Sequence, residues 1–233
     1  MPATPLPATG QPPARGPQTC DASGMFLIHG MLRHAFDEAP SLVDGVAPGD
    51  TSHASAVAEH LHLISTALHA HHEGEDSQLW DKMKTRAPAC ALHVDRMIEQ
   101  HAAMLIPLDA LDAAVPAWRA SADPADAVAV HDALRGVARA LAEHLPDEEQ
   151  NLVPVMERVI TQKEMDWLAH HGQAATPKGK AWYMLGAILD SHPDKGQAWL
   201  EKNMHGVNAL AWRFIGAPSY AKYRARLEES TSR

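Results

Sequence analysis

The sequence is poor in aromatic residues, with three phenylalanines, three tyrosines and six tryptophans in 233 positions, and it holds only two cysteines. Cys20 and Cys90 offer neither a disulfide framework nor a cysteine metal knuckle, and they fit a reducing, cytoplasmic setting. No apolar run approaches the roughly 18 residues needed to cross a bilayer, so a soluble chain with no membrane partner is expected. A dense Lys/Arg cluster and an RNA-binding aromatic motif are also missing. With a formal charge of -9, this argues against a nucleic-acid partner. The stretch from Met1 to Thr19 lacks the basic and apolar regions of a signal peptide. Its Pro, Ala and Gly content reads as a disordered tail, taken here over residues 1–22.

What is abundant is histidine, 16 residues, a balance that favours metal or proton chemistry. Apolar residues recur every three or four positions in four segments, and no β-alternating run competes with them. A first helix is expected from about Ser23 to Ala39, ended by Pro40, with Met25, His29, Leu32 and Phe36 facing inward. A long, bent second helix follows from about Thr51 to Lys84, and Pro88 breaks the chain. A third begins near Ala91 with Val94, Met97, His101, Leu105, Leu108 and Asp112 on one side, and Pro107 should kink or end it. A fourth runs from about Ala125 to Val159, distorted at Pro146 and Pro154.

These segments predict an all-α fold, an up-down-up-down four-helix bundle over residues 23–160. Residues 161–233 form a helical C-terminal extension with four of the six tryptophans and all three tyrosines. Its two apolar patches, one around Trp182, Tyr183, Leu185, Ile188 and Leu189 and the other around Trp199, Leu210, Trp212, Phe214 and Ile215, need a partner surface. Packing against the outside of the bundle is the ordinary outcome, with a lid or a dimer contact as the alternatives.

The second stripe reads Val57, Leu61, Ile64, Leu68, His71, Glu75, Leu79, and the fourth Val130, Leu134, Val137, Leu141, His144, Glu148, Leu152, Val155. Both therefore turn polar at the same place, with a histidine and a glutamate one turn apart on the buried face. An unpaired buried charge costs about 3 to 5 kcal/mol unless a partner or a cation compensates it. With His29 and His101 on the other stripes, the inward polar set is four imidazoles and two carboxylates. That is too many for one tetrahedral zinc and suits two metals bridged by carboxylates.

Four sequence segments carry a resemblance: Ile28-His29-Gly30-Met31-Leu32-Arg33; His71-His72-Glu73-Gly74-Glu75-Asp76 with Leu79-Trp80; Glu99-Gln100-His101; and His144-Leu145-Pro146-Asp147-Glu148-Glu149 with Leu152-Val153-Pro154. In these the chain resembles the hemerythrin-like (HHE cation-binding) family. The resemblance implies a bundle holding two non-haem iron ions joined by an oxo or hydroxo bridge. His29, His71, Glu75, His101, His144 and Glu148 would be the metal ligands, with Glu75 and Glu148 bridging. Dioxygen, peroxide or nitric oxide would be the small ligands.

Oxygen-carrying members of the family use five histidines, two of them one turn apart on the third helix, whereas Met97 and Leu105 flank His101 here. The missing ligand leaves an open position or a substitute, for which His72, Glu73, His34 and Asp112 are candidates. His62 and His69 fall off the inward stripe and are expected in solvent, and Glu73, Asp76, Asp147 and Glu149 read as solvated charges. A tyrosinate ligand would require the C-terminal extension to fold over the site. The expected function is binding or reaction of dioxygen or peroxide at the iron pair. The alternatives are an oxygen-activating oxidase of a small organic substrate, a peroxidase or catalase-like enzyme, an iron or nitric oxide sensor, and iron storage. The oligomeric state is left open.

Overall fold

The computed structural model describes residues 17–229, and among them every regular element is helical. Four long helices carry the fold: α1 (Ser23–Asp44), α2 (Thr51–Gln78), α4 (Ala91–Ser121) and α5 (Pro124–Asn151). Short α3 (Trp80–Arg86) and a 3-10 turn (Pro88–Cys90) follow α2, and α6 (Val153–Val159) follows α5. α1 packs on α2 and α5, and α4 packs on the same two, which closes a ring of four. No described helix is long and apolar enough to cross a membrane.

Local chemistry sets the starts. Asp50 accepts the His53 amide at the head of α2, and Asp123 accepts the Ala125 amide at the head of α5, where Pro124 takes a position that needs no donor. Two expectations about prolines shift. Pro40 does not end α1, which continues to Asp44 because Leu42 and Val43 of the last turn are buried and offset the hydrogen bond lost at the proline. Pro107 likewise lies inside α4, which runs on to Ser121.

The long second and fourth helices break at Leu79 and at Leu152, not at Pro146. The backbone is alike at the two breaks, φ -101 and -110, and each leucine amide still donates to the carbonyl of the glutamate four residues earlier, Glu75 or Glu148, at 2.8 Å.

The apolar residues form two clusters, and the inward histidines and glutamates lie between them. His29 separates Met25 from Leu32, His71 and Glu75 separate Leu68 from Leu79, His101 separates Met97 from Met104, and His144 and Glu148 lie between Leu141 and Leu152. On α4 the buried series is Val94, Met97, His101, Met104, Leu108, Leu111, Val115 and Trp118. Leu105 and Asp112 are therefore on the outer side, contrary to the sequence reading.

The C-terminal helices are α7 (Gln162–Ala175), α8 (Ala181–Asp190), α9 (Gln197–Asn203), α10 (Gly206–Ala211) and, after a π turn at Trp212–Gly216, α11 (Ala217–Leu227). α7 and α11 pack on α2, and α8 packs on α1. Arg224 donates to both Glu38 oxygens at 2.6 and 2.8 Å, Lys180 donates to Glu59 at 2.6 Å, and His53 Nε2 donates to the Leu227 carbonyl at 2.9 Å. The first apolar patch is thus covered by the bundle through Tyr183 and Ile188, while Leu210, Phe214 and Ile215 of the second remain exposed.

At the other end, Gln18 to Ala22 are fastened rather than loose. Thr19 donates from its amide to Glu157 and from its hydroxyl to Ile160, both at 2.7 Å, and Cys20 and Ala22 are buried. Residues 1–16 of the expected tail lie outside the described residues.

α4 and α5 approach closely at Gly136, where an added Cβ would lie 2.6 Å from Pro107 Cβ. Helix propensity favours Gly136→Ala by about 1 kcal/mol, but the rigid proline ring cannot move aside, and overpacking costs about 1–3 kcal/mol. Urea unfolding is expected to show net destabilisation; a stabilised variant would mean that this contact is not close.

Candidate metal centre

His29, His71, Glu75, His101, His144 and Glu148 all come together, each at most 5% exposed. They form two groups of donor atoms that lie within 4.8 Å of one another: His29, His71, Glu75 and Glu148 in one, and His72, Glu75, His101 and His144 in the other. Glu75 belongs to both. Its Oε1 lies 3.4 Å from His71 Nε2 and its Oε2 lies 3.6 Å from His101 Nε2. Glu148 Oε2 similarly lies 3.3 Å from His29 Nε2 and 3.5 Å from His144 Nε2.

Of the four candidates for the absent histidine, only His72 joins the cluster. Its ring stacks on His101 with centroids 4.0 Å apart, and its Nε2 is buried with no hydrogen-bond partner. His34 faces Glu38, Asp112 accepts the Ser65 hydroxyl and faces His69, and Glu73 is an exposed side chain 3.9 Å from His171. With His72 the donors number five histidines and two glutamates.

The outward nitrogens explain why the inward ones converge. His29 Nδ1 donates to Glu149 Oε1 at 3.0 Å, His101 Nδ1 donates to Asp76 Oδ1 at 2.7 Å, and His144 Nδ1 faces Gln100 Oε1 at 3.1 Å. A hydrogen bond from Nδ1 leaves Nε2 as the lone-pair nitrogen of a neutral ring, which is how proteins orient a histidine toward a metal. Yet His29 Nε2 lies 3.0 Å from His71 Nε2, and His101 Nε2 lies 3.2 Å from His144 Nε2. Both oxygens of Glu75 and both of Glu148 are buried without a hydrogen-bond partner. Lone pairs and carboxylates gathered in this way repel one another unless protons or cations lie between them, so the residues present fit metal binding.

Glu149, Asp76 and Gln100 were not recognised in the sequence as part of this site, and the solvated role expected for Glu149 and Asp147 is corrected. Glu149 also accepts from Arg33 at 2.8 Å, Asp76 also accepts from Trp80 Nε1 at 2.7 Å, and Asp147 pairs with Arg96 at 3.2 Å. Glu73 and Asp76 are exposed as expected, Asp76 while holding His101, whereas Glu149 and Asp147 are partly buried. A signal was present: an acid directly follows each buried glutamate, Glu75-Asp76 and Glu148-Glu149. One step rotates the side chain about 100° around the helix, toward the histidine of a neighbour. No tyrosine joins these groups; Tyr183 and Tyr220 both lie against Tyr223, beside His60. Gly74 lets α7 close over α2 at the same level, since a Cβ there would lie 2.5 Å from Leu168 Cδ1.

Without metal the site holds protons instead. Burial works against charge on His29, but Glu148 and Glu149 outweigh it and raise its pKa to about 8. Burial, then Glu148, pushes Glu75 well above the usual carboxylate range. Burial opposes the Glu148 charge too, but His29, then His144 and His71, hold it below that range. Burial keeps His71 and His72 neutral and lowers His144 to about 4.

The sequence model of the hemerythrin HHE cation-binding domain matches residues 23–156. That is more than half of the chain, so the chain belongs to this family. No curated protein and no solved structure was found to match it.

The proton inventory predicts a pH dependence for the metal-free protein. A histidine raised from 6.5 to about 8 contributes stability fully below pH 6.5 and loses it as pH rises through 8. The raised Glu75 loses its contribution in the same direction. His71, His72 and His144, which burial keeps neutral, work in the opposite direction over the same window. The His29 contribution, on the order of 2 kcal/mol in all, is therefore read as a difference: the stability of Glu148→Gln relative to the unmodified protein should recover as pH rises from 6.5 to 8. An identical pH dependence in the two proteins would contradict the assignment.

Proposed function

We propose that this member of the hemerythrin family is a non-haem di-iron protein that binds or reacts with dioxygen or peroxide. The single observation that carries the reading is the sharing of Glu75 between two buried groups of four donors. His29, His71, His72, His101 and His144 would supply nitrogen ligands, and Glu75 and Glu148 would bridge. A bound iron pair supplies redox chemistry toward small oxygen ligands. The alternation of the two apolar clusters along α1, α2, α4 and α5 supports an up-down-up-down order. Both cysteines are free and buried, which suits a cytoplasmic protein.

The protein's own part is orientation and exclusion. Asp76, Glu149 and Gln100 hold the outer ring nitrogens so that each imidazole presents a fixed face. Trp80, 1% exposed, and Leu79 and Leu152, both fully buried, shut water out on one side. With His72 the donors include five histidines, and this favours reversible small-ligand binding over the reactivity of a more open centre.

The test is the near-ultraviolet and visible spectrum of anaerobic iron-loaded protein as oxygen and then peroxide are admitted. A charge-transfer band that forms with oxygen and reverses on its removal is expected, and His71→Ala should abolish both iron loading and the band with little loss of helix. Steady peroxide consumption would favour an enzyme, and a featureless spectrum in the iron-loaded protein would sink the reading.

The residues behind the ligands give a second prediction. Asp76→Asn and Glu149→Gln should each weaken iron affinity about 10–100-fold, the usual cost of losing such a partner. Glu73→Gln, which changes an exposed acid beside them, should leave affinity unchanged; equal effects from all three would argue against this orienting role.

A further inference from the structure

A second concentration of buried polar chemistry lies where the C-terminal helices meet α1 and α2. His60 is 3% exposed, its Nδ1 lies 2.7 Å from the Tyr223 hydroxyl, and Tyr223 is itself 5% exposed. Tyr183 stacks on Tyr223 with centroids 4.3 Å apart and planes at 8°, and Tyr220 lies 6.3 Å from it. All three tyrosines of the chain therefore gather at one buried histidine. The void among these side chains is about 10 Å³, room for one water at most. No organic ligand fits, so the chemistry available is that of the side chains themselves.

The proton positions follow from the contacts. Burial, then Arg224 and His34, lowers the His60 pKa to about 3, and the ring is neutral at physiological pH. Burial likewise raises the Tyr223 phenol, which keeps its proton. The Tyr223 O–H then donates to Nδ1, and the proton on His60 sits on Nε2. That nitrogen has no hydrogen-bond partner, but Glu38 Oε1 lies 3.7 Å away, and Glu38 is held in place by two hydrogen bonds from Arg224.

Losing only a proton or only an electron would leave Tyr223 with an isolated charge in the core, at a cost of several kcal/mol. Losing both together leaves a neutral phenoxyl and an imidazolium that faces the Glu38 carboxylate.

We propose that Tyr223 and His60 form a proton-coupled one-electron donor. In the step, the Tyr223 O–H bond breaks, an N–H bond forms at His60 Nδ1, and one electron passes to an external one-electron oxidant, such as an oxygen-derived radical or a high-valent metal. The oxidant is reduced by one electron and Tyr223 becomes a neutral radical; a one-electron reductant restores it, with the proton returning from His60. Tyr183 stacks on Tyr223. His60 precedes His71 on α2 by roughly 16 Å of helix axis at about 1.5 Å per residue. The donor itself does not depend on the metal reading.

The experiment uses the metal-free full-length chain and photogenerated tris(bipyridine)ruthenium(III) as oxidant, followed by transient absorption and electron paramagnetic resonance. A neutral tyrosyl radical is expected, forming more slowly in heavy water. It should be lost in Tyr223→Phe and retained in Tyr183→Phe and Tyr220→Phe. His60→Gln should form it about 100-fold more slowly, the low end of what a positioned general base contributes. A radical that persists in Tyr223→Phe, or one that forms as fast in His60→Gln, overturns the proposal. Should Tyr223→Phe fail to fold by circular dichroism, the wild-type protein still decides, because no radical or no solvent isotope effect overturns it equally.

Discussion

Five imidazoles and two carboxylates face one another inside a helical ring, and the rest of the molecule is arranged around the need to compensate them. Apolar clusters on either side remove water, which makes the mutual repulsion of lone pairs and charges severe. Hydrogen bonds are spent on the outer nitrogens, so the inner atoms are left to one another. Protons on His29 and Glu75 compensate part of this repulsion when metal is absent, but the four glutamate oxygens without hydrogen-bond partners show how incomplete that is. Cations would compensate these groups more fully than protons do.

Much of this was legible because helical periodicity is a local property. The His-x-x-x-Glu pairs at His71 and His144 interrupt regular apolar stripes at the same height, and a sequence can show that without knowing which helix packs on which. Where two apolar residues competed for one position, the pattern was ambiguous. Leu105 and Met104 both extend the stripe from His101, and only packing against the neighbouring helices selects Met104. The prolines misled for a related reason. Pro40 and Pro107 each cost a hydrogen bond locally, but the burial of Leu42, Val43, Leu108 and Leu111 beyond them outweighs that cost.

What the sequence hid depends on contacts between distant segments. His72 was one of four candidates for the absent ligand, and only its stacking on His101 of another helix selects it. Asp76 and Glu149 looked like solvent charges because the histidines they hold lie on other helices too. His53 and His60 are buried because α11 covers a second face of α2, and α2's own pattern carries no record of that cover. The C-terminal segment thus does more than shield the bundle, since it brings every tyrosine to one buried imidazole.

The central claim is that the layer between the two apolar clusters holds two metal ions, and metal analysis of anaerobically purified protein tests it most directly. The account predicts about two irons per chain, with unfolding free energy raised by about 2.7 kcal/mol when free iron is a hundred times its dissociation constant. A chain that carries no metal, and whose stability is the same with and without iron, would contradict it.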